Sequence, residues 1–410
     1  MFDNAFARGL LRSVMVIVAL STSASAQIKP PIAPNPIEVD HYVHLPAFTV
    51  SNQNSTIHLF SLEAYRCEFL YLNDQLRRID LKGRPVSTDG WTHNIAEAEW
   101  PFLSFAYLGY AAANLAVYDP VMIDMYRGEM RWLIDALQTP RMSGFVTPHF
   151  GEPFGPDMHV AVFVHGHFLN LALRYREIFG DKQYDPLIHQ IAAALVKSYS
   201  GTNGPVLPSY RDMWWLTDNF PAMSALARYD RIFGRDTSAA RTLFLTALKR
   251  YYLDKSTGLS DTYINAQSHV PLQGSRGISV MYGLHFLKDF DPSFANVQYQ
   301  LATHCFVKTL FGVAAVREFP EGVEPAQDID SGPLVFGFGP SASGFAIAAA
   351  AVNGDTNTAW NLLEATALIG LPELRNEGLH YDAMPTVGQT VILFGKSELL
   401  KSEIPPHQRP

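Results

Sequence analysis

The sequence predicts an all-α protein, an (α/α)6 toroid or barrel of about twelve helices in a single domain. Three observations carry this expectation. From Ser55 onward the apolar residues recur with helical rather than alternating spacing. Helix-stopping joints return at an interval of about 60 residues. The joints also alternate between very short and very long, as in a row of helical hairpins that all turn the same way.

Taken in order, the helical segments lie near 55–78, 97–118, 120–137, 158–179, 182–199, 217–233, 237–253, 275–289, 292–311, 341–353, 355–370 and 388–401. No convincing sheet is expected between them. The short joints are Tyr118-Asp119-Pro120, Phe179-Gly180-Asp181, Phe233-Gly234-Arg235-Asp236, Phe290-Asp291-Pro292 and Asn353-Gly354-Asp355. Glycine ends a helix in the left-handed conformation, aspartate caps the next one, and proline suits its first turn. The long joints cover roughly 79–96, 138–157, 200–216, 254–274, 312–340 and 371–387, and long loops in a packed domain usually serve function. An open α-solenoid is the other arrangement of such hairpins. It needs polar capping repeats, and neither terminal helix resembles one.

The two helices of a hairpin differ. Those after a long loop are apolar on most sides, as in Phe102–Ala116, Val160–Leu173 and Phe345–Val352. Those after a short turn are amphipathic, as in Asp185–Ser198 and Ala239–Tyr252. A helix apolar all round is buried, so the even-numbered helices should form the inner ring. Their N-terminal ends then meet the long loops. A site is expected on that rim, where free N–H groups and helix dipoles favour anionic or polar groups.

Ahead of the toroid, assigned to 55–405, residues 1–26 read as a signal peptide. Arg8 and Arg12 precede a short apolar run, and Ala24-Ser25-Ala26 fits a cleavage site. Export, periplasmic or secreted, follows as an expectation. Residues 27–54 form a proline-rich arm, too rich in proline for a helix. No later segment has the length of a membrane span. Cys67 and Cys305 can pair or remain free thiols; their spacing does not decide it.

The composition is 48% hydrophobic and 17% charged, with a formal charge of −8, so disorder is excluded. With 31 basic against 39 acidic residues, so is a basic nucleic-acid binder. Two cysteines exclude a disulfide scaffold and a cysteine-rich metal site. No nucleotide-binding fingerprint stands in its required strand–turn–helix context, so no cofactor is expected. Nor is a metal, because His165 and His167 lack the i,i+4 spacing of helical ligands.

Polar residues gather where the rim is expected. The first loop brings His93, with Glu97 and Glu99 just after it. The third carries Tyr210, Arg211, Asp212, Trp214, Trp215, Asp218 and Asn219. Aromatic faces beside carboxylates suit a sugar ring or another hydroxylated ring. The fourth ends in Arg276, the fifth holds Asp328 and Asp330, and the last contributes Tyr381. Two carboxylates two residues apart repel, which raises one of their pKa values toward that of a useful general acid. The catalytic candidates are Asp212, Asp218, His167 and Asp330. Tyr210, Trp214, Trp215, His93, Asn219, Asp328 and Tyr381 are the candidates for holding substrate, with Arg211 and Arg276 for an anionic group on it.

Three stretches resemble the linalool dehydratase/isomerase-like family of exported (α/α)6 barrels. Gly166-His167 with Leu169-Asn170-Leu171 is similar to that family's Gly-His helix. Asn219, Tyr229-Asp230-Arg231, Gly234, Asp236 and Ala239-Ala240-Arg241 resemble its next hairpin, and Asp328 to Asp355 a later one. The likeness covers residues 95–370 and implies an acid/base role for His167. The family's dehydratase uses cysteines in the loop before the Asn219 helix; this chain has none there, and Asp218 stands in place of one.

The function expected is carboxylate and histidine acid–base chemistry of lyase or isomerase type on a small hydroxylated or sugar-like molecule. A glycoside hydrolase, polysaccharide lyase or epimerase fits the same toroid, and so does a non-catalytic envelope protein that binds a small molecule or glycan.

Overall fold

A computed structural model describes residues 48–52, 55–81, 96–201, 204–310, 313–375 and 378–403. The signal-peptide segment, most of the proline-rich arm and His93 lie outside the described residues.

Twelve long helices run through these residues. They are α1 (Leu62–Leu81), α2 (Ala96–Tyr118), α3 (Ile123–Leu137), α4 (Val162–Phe179), α5 (Asp185–Ser200), α6 (Asn219–Phe233), α7 (Ser238–Tyr251), α8 (Gly277–Phe290), α9 (Pro292–Phe306), α10 (Pro340–Val352), α11 (Thr356–Ile369) and α12 (Thr386–Glu403). The even-numbered helices pack side by side in the order α2, α4, α6, α8, α10, α12, and α12 returns to α2. This is a closed inner ring, the toroid expected from the joint spacing.

Burial explains the ring. From Phe102 to Leu115 every residue of α2 is buried, and so is every residue of α4 from Val162 to Tyr175. Helices without a polar face have neighbours on every side. Small residues set how near the axes come. A Cβ added to Gly166 of α4 would sit 2.8 Å from the Ala222 backbone nitrogen of α6. The Ala346–Ala351 stretch of α10 likewise leaves room for its neighbours.

The short joints work through several devices. Gly180 and Gly234 end α4 and α6 at φ 68° and 61°. Asp291 and Asp355 cap α9 and α11 by accepting from the Phe294 and Thr358 N–H groups. Asp119 does not cap. Its carboxylate takes a two-pronged hydrogen bond from Arg66, at 2.8 and 2.7 Å, and so ties α1 to the α2–α3 turn.

The long loops, and the stretch before α1, hold more structure than expected, because they contain antiparallel sheet. The pairs are β1 (Thr49–Ser51) with β2 (Thr56–His58), β6 (Val307–Leu310) with β7 (Val313–Val316), and β8 (Pro372–Arg375) with β9 (Gly378–Tyr381). A three-stranded sheet joins β3 (Trp214–Trp215), β4 (Tyr263–Asn265) and β5 (Val270–Gln273). Hence α1 starts at Leu62 rather than near 55, and α9 stops at Phe306 rather than near 311. The apolar run there alternates, with Ala314 and Val316 buried and Val313 and Ala315 less so. A short run of this kind fits either period until a pairing partner is known. Cys67 and Cys305 are both unpaired thiols.

Candidate active site

Six inner helices present their N-terminal ends to one cavity of about 430 Å³. Glu99 and Trp100 come from α2, Phe163 from α4, Thr217 and Asp218 from just before α6, Ile278 and Ser279 from α8, Pro340 and Ser341 from α10, and Val387 from α12. The long loops add Tyr210, Trp215, Asp330 and Asp382. The walls are mostly hydrocarbon and aromatic, with Leu103, Val313, Phe338, Phe345, Leu362, Ile369, Met384, Val391 and Ile392 among them.

Of the four carboxyl groups on the cavity, Asp382 is exposed and pairs with Arg375, and the other three lie together in the apolar space. Burial raises the Glu99 carboxyl, and the neighbouring Asp330 and Asp218 charges raise it further, although the Tyr210 hydroxyl donates to its Oε2 at 2.7 Å. Asp218 is pushed up to about 7, chiefly by burial, against a hydrogen bond from Ser209. Asp330 is raised by burial and by Asp328, and Arg276 opposes this. Like charges in a dry site cannot all ionise, so the group holds protons at neutral pH. It therefore contains acids and a base in one place, as proton transfer to and from a substrate requires.

Tyr282 of α8 also lines the cavity, and His167 lies behind it. The His167 ring is fully buried among Phe102, Tyr107, Phe163 and Phe286. Its Nε2 is 2.7 Å from the Tyr282 hydroxyl and its Nδ1 3.0 Å from that of Tyr110. Tyr110 also lies 3.0 Å from the His167 carbonyl, which can only accept. A proton on Nδ1 satisfies all three contacts: Tyr110 donates to the carbonyl, Nδ1 donates to Tyr110, and Nε2 accepts from Tyr282. Burial holds the imidazole down to about 3, so it is neutral at ordinary pH. His167 does not line the cavity. It orients Tyr282, whose oxygen lone pairs are left for the cavity.

The remaining candidates divide. Asp218, Asp330, Tyr210 and Trp215 converge on the cavity. Asp212 does not; it is exposed, at φ 60°, in the tight Tyr210–Met213 turn, a conformation aspartate tolerates. Trp214 packs in the core, since successive strand residues face opposite ways and Trp215 takes the cavity side. Arg211 donates to the His149 carbonyl at 3.1 Å and lines a separate cleft with His149, His159 and Lys197.

Asn219 is a structural clamp. Its side chain accepts from Tyr199 and the Leu207 N–H and donates to the Leu207 and Leu216 carbonyls, which consumes all its polar capacity. Arg276 is buried and already neutralised. It donates to Glu318 at 2.7 Å and to both Asp328 oxygens at 2.6 and 2.9 Å. Three of its five N–H groups are spent on these two carboxylates, and Arg276 is not among the residues that line the cavity; the pair instead pins the loop that carries Asp330. Asp328 also accepts from the Ser331 N–H, which closes that turn. Tyr381 is buried beside Lys396, which donates to it and to Glu68 at 2.7 Å each, and Asp382 next to it reaches the cavity.

The sequence places Glu99 beside the first loop without singling it out, and it gives Tyr282 no mark at all. The signal for Glu99 is helical spacing: Glu99 and Leu103 lie four apart on the face of α2 that lines the cavity. Nothing in the sequence separates Tyr282 from the other core tyrosines.

No family model matches the chain, and no curated protein does. Solved structures do. An unsaturated glucuronyl hydrolase specific for heparin superposes with a TM-score of 0.51 at 11% identity, over 83% of this chain and 97% of that one. A family 105 glycoside hydrolase of C. acetobutylicum ATCC 824 gives 0.46 at 11% identity, over 80% and 99%. A family 76 glycoside hydrolase from a bovine Bacteroides thetaiotaomicron strain gives 0.46 at 10%, over 82% and 77%. The first likeness shows the fold. At this identity it shows nothing of the reaction.

Proposed function

We propose that this chain is an acid–base enzyme acting on a small, largely apolar alcohol, by loss of water or by isomerisation. The observation that supports it is the cavity: protonated and ionised carboxyl groups gathered on walls that are otherwise hydrocarbon and aromatic. Glu99 is assigned the general acid and Asp330 the base, with Asp218 sharing protons between them. The Glu99 carboxyl gives its proton to the substrate hydroxyl, the C–O bond breaks, and water leaves. Asp330 takes a proton from the adjacent carbon, whose C–H electrons form the double bond. Passing that proton to Glu99 restores the start. Tyr210 holds the Glu99 carboxyl, and the lone pairs of Tyr282 face the positive charge that builds on carbon. This is the chemistry that the Gly166-His167 resemblance implies, with His167 recast as a positioning residue.

Glycoside hydrolysis is the second reading, favoured by Tyr210 and Trp215, whose rings meet edge to face 6.0 Å apart beside paired carboxyl groups. A thermal-shift panel of branched aliphatic alcohols, methyl glycosides and free uronates separates the two. The proposal expects shifts with the alcohols that Asp218→Asn changes. Shifts with glycosides alone would favour the second reading. Export through the first 26 residues stays part of this proposal, tested by N-terminal sequencing of the mature protein.

A further inference from the structure

One wall of the cavity is built in a way that costs stability. Val335 and Phe338 exchange backbone hydrogen bonds at 3.0 and 2.9 Å, closing a tight two-residue turn. Its central residues, Phe336 and Gly337, have φ of 53° and 83°. Both values are positive, as in the mirror-image hairpin turns that normally carry Asn-Gly or Gly-Gly. Gly337 is the residue expected. Phe336 is not, because a bulky side chain in the left-handed region is strained.

The Phe336 side chain is 70% exposed. It nevertheless borders the cavity, six residues after Asp330 in the same loop. The turn is held from outside. The Glu318 N–H donates to the Gly337 carbonyl at 2.9 Å, and the Gly339 N–H donates to Val316 of β7 at 2.9 Å. Strain of this kind persists where the surroundings over-determine it, and it gathers at ligand clamps.

We infer that Phe336 is the entrance residue of the cavity: its ring covers the mouth, packs on the apolar part of the bound molecule and shields the carboxyl groups from water. The chemical class selected is a small molecule with a hydrocarbon body and a hydroxyl end. The inference rests on the proposed function only for that class and for the choice of probe. The geometry of the turn stands apart from it.

Three variants separate the ring from the strain. Phe336→Asn removes the ring and supplies the residue the turn prefers. Phe336→Ala removes the ring and keeps the strained backbone. Phe336→Tyr keeps both. Two measurements are made on each: 1-octanol binding, and acrylamide quenching of tryptophan fluorescence, since Trp100 and Trp215 line the cavity. Asn and Ala are expected to weaken octanol binding about tenfold, the loss of roughly 50 Å² of apolar contact, and to raise quenching. Tyr should match the native protein. Only Asn should raise Tm, by about 1–2 °C for a chain of this size. If octanol binds and neither Asn nor Ala alters binding or quenching, the entrance role is wrong and the proposed function stands. If octanol does not bind but quenching rises in Asn and Ala, the entrance role stands and the apolar substrate is wrong. Unchanged quenching without octanol binding overturns both.

Discussion

Replacing Asp218 by asparagine should make this protein more stable, and more so as pH rises. The side chain keeps its shape and its Ser209 neighbour but can no longer ionise. In the folded chain the carboxyl titrates near 7. In the unfolded chain it titrates near the reference value of about 3.9. Between these values the folded state holds a proton that the unfolded state has released, so native stability falls as pH climbs through the window. A difference of about three units at roughly 1.36 kcal/mol each sets an upper bound of about 4 kcal/mol. Residual solvent access brings the expected gain to on the order of 2–3 kcal/mol at pH 8, and close to zero at pH 4. The assay is urea unfolding of both proteins at half-unit steps from pH 4 to 8.5, reading only their difference. A difference that stays flat across the window, or has the opposite slope, would refute the account of a dry carboxyl cluster. The expected cost is functional, because the stabilised variant has lost a proton site in the cavity.

Four more outcomes follow from the same structure. Lys396→Met should destabilise by about 3–5 kcal/mol, since it strands the fully buried Glu68 carboxylate, and Lys396→Met with Glu68→Leu should recover most of that; chemical denaturation reads both. Asn219→Ala should cost about 2–4 kcal/mol in the same assay, because the buried Leu207 N–H and Tyr199 hydroxyl lose their acceptor. A direct substrate role would instead leave stability nearly unchanged. Gly166→Ala should cost about 1–3 kcal/mol despite alanine's better helix propensity, as the new Cβ meets the Ala222 backbone. The His167 imidazole should stay neutral, protonated on Nδ1, at pH 5 by nitrogen-15 NMR, well below the ordinary histidine range.

The toroid was legible because its joints repeat. Gly180, Gly234, Asp291 and Asp355 carry turn chemistry that does not depend on tertiary context, so their interval exposed the hairpins. Inner and outer helices were separable because α2 and α4 have no polar face. The loops were harder. Trp214 and Trp215 are adjacent, as are Tyr381 and Asp382, and Asp328 and Asp330 are two apart; one member of each pair faces the cavity and the other the core or an ion pair. Which member it is depends on strand register and on partners such as Arg276 and Lys396, whose positions come only from the folded chain. Asn219 and Arg276 misled for one reason: a polar side chain near a site is as useful for holding loops as for holding a ligand. Glu99 was hidden by its place on a helix rather than in the loop before it.

The most direct test of the central claim is oxygen exchange. An enzyme that protonates an alcohol and expels water should, on reversal, build solvent oxygen into that alcohol. Incubation of a branched aliphatic alcohol panel in oxygen-18 water, followed by mass spectrometry, reads this whatever alkene or isomer is formed. The account predicts exchange in the native protein that falls at least about a hundredfold in Glu99→Gln. No exchange in any alcohol, together with oxygen-18 entering the reducing end released from a glycoside, would contradict it.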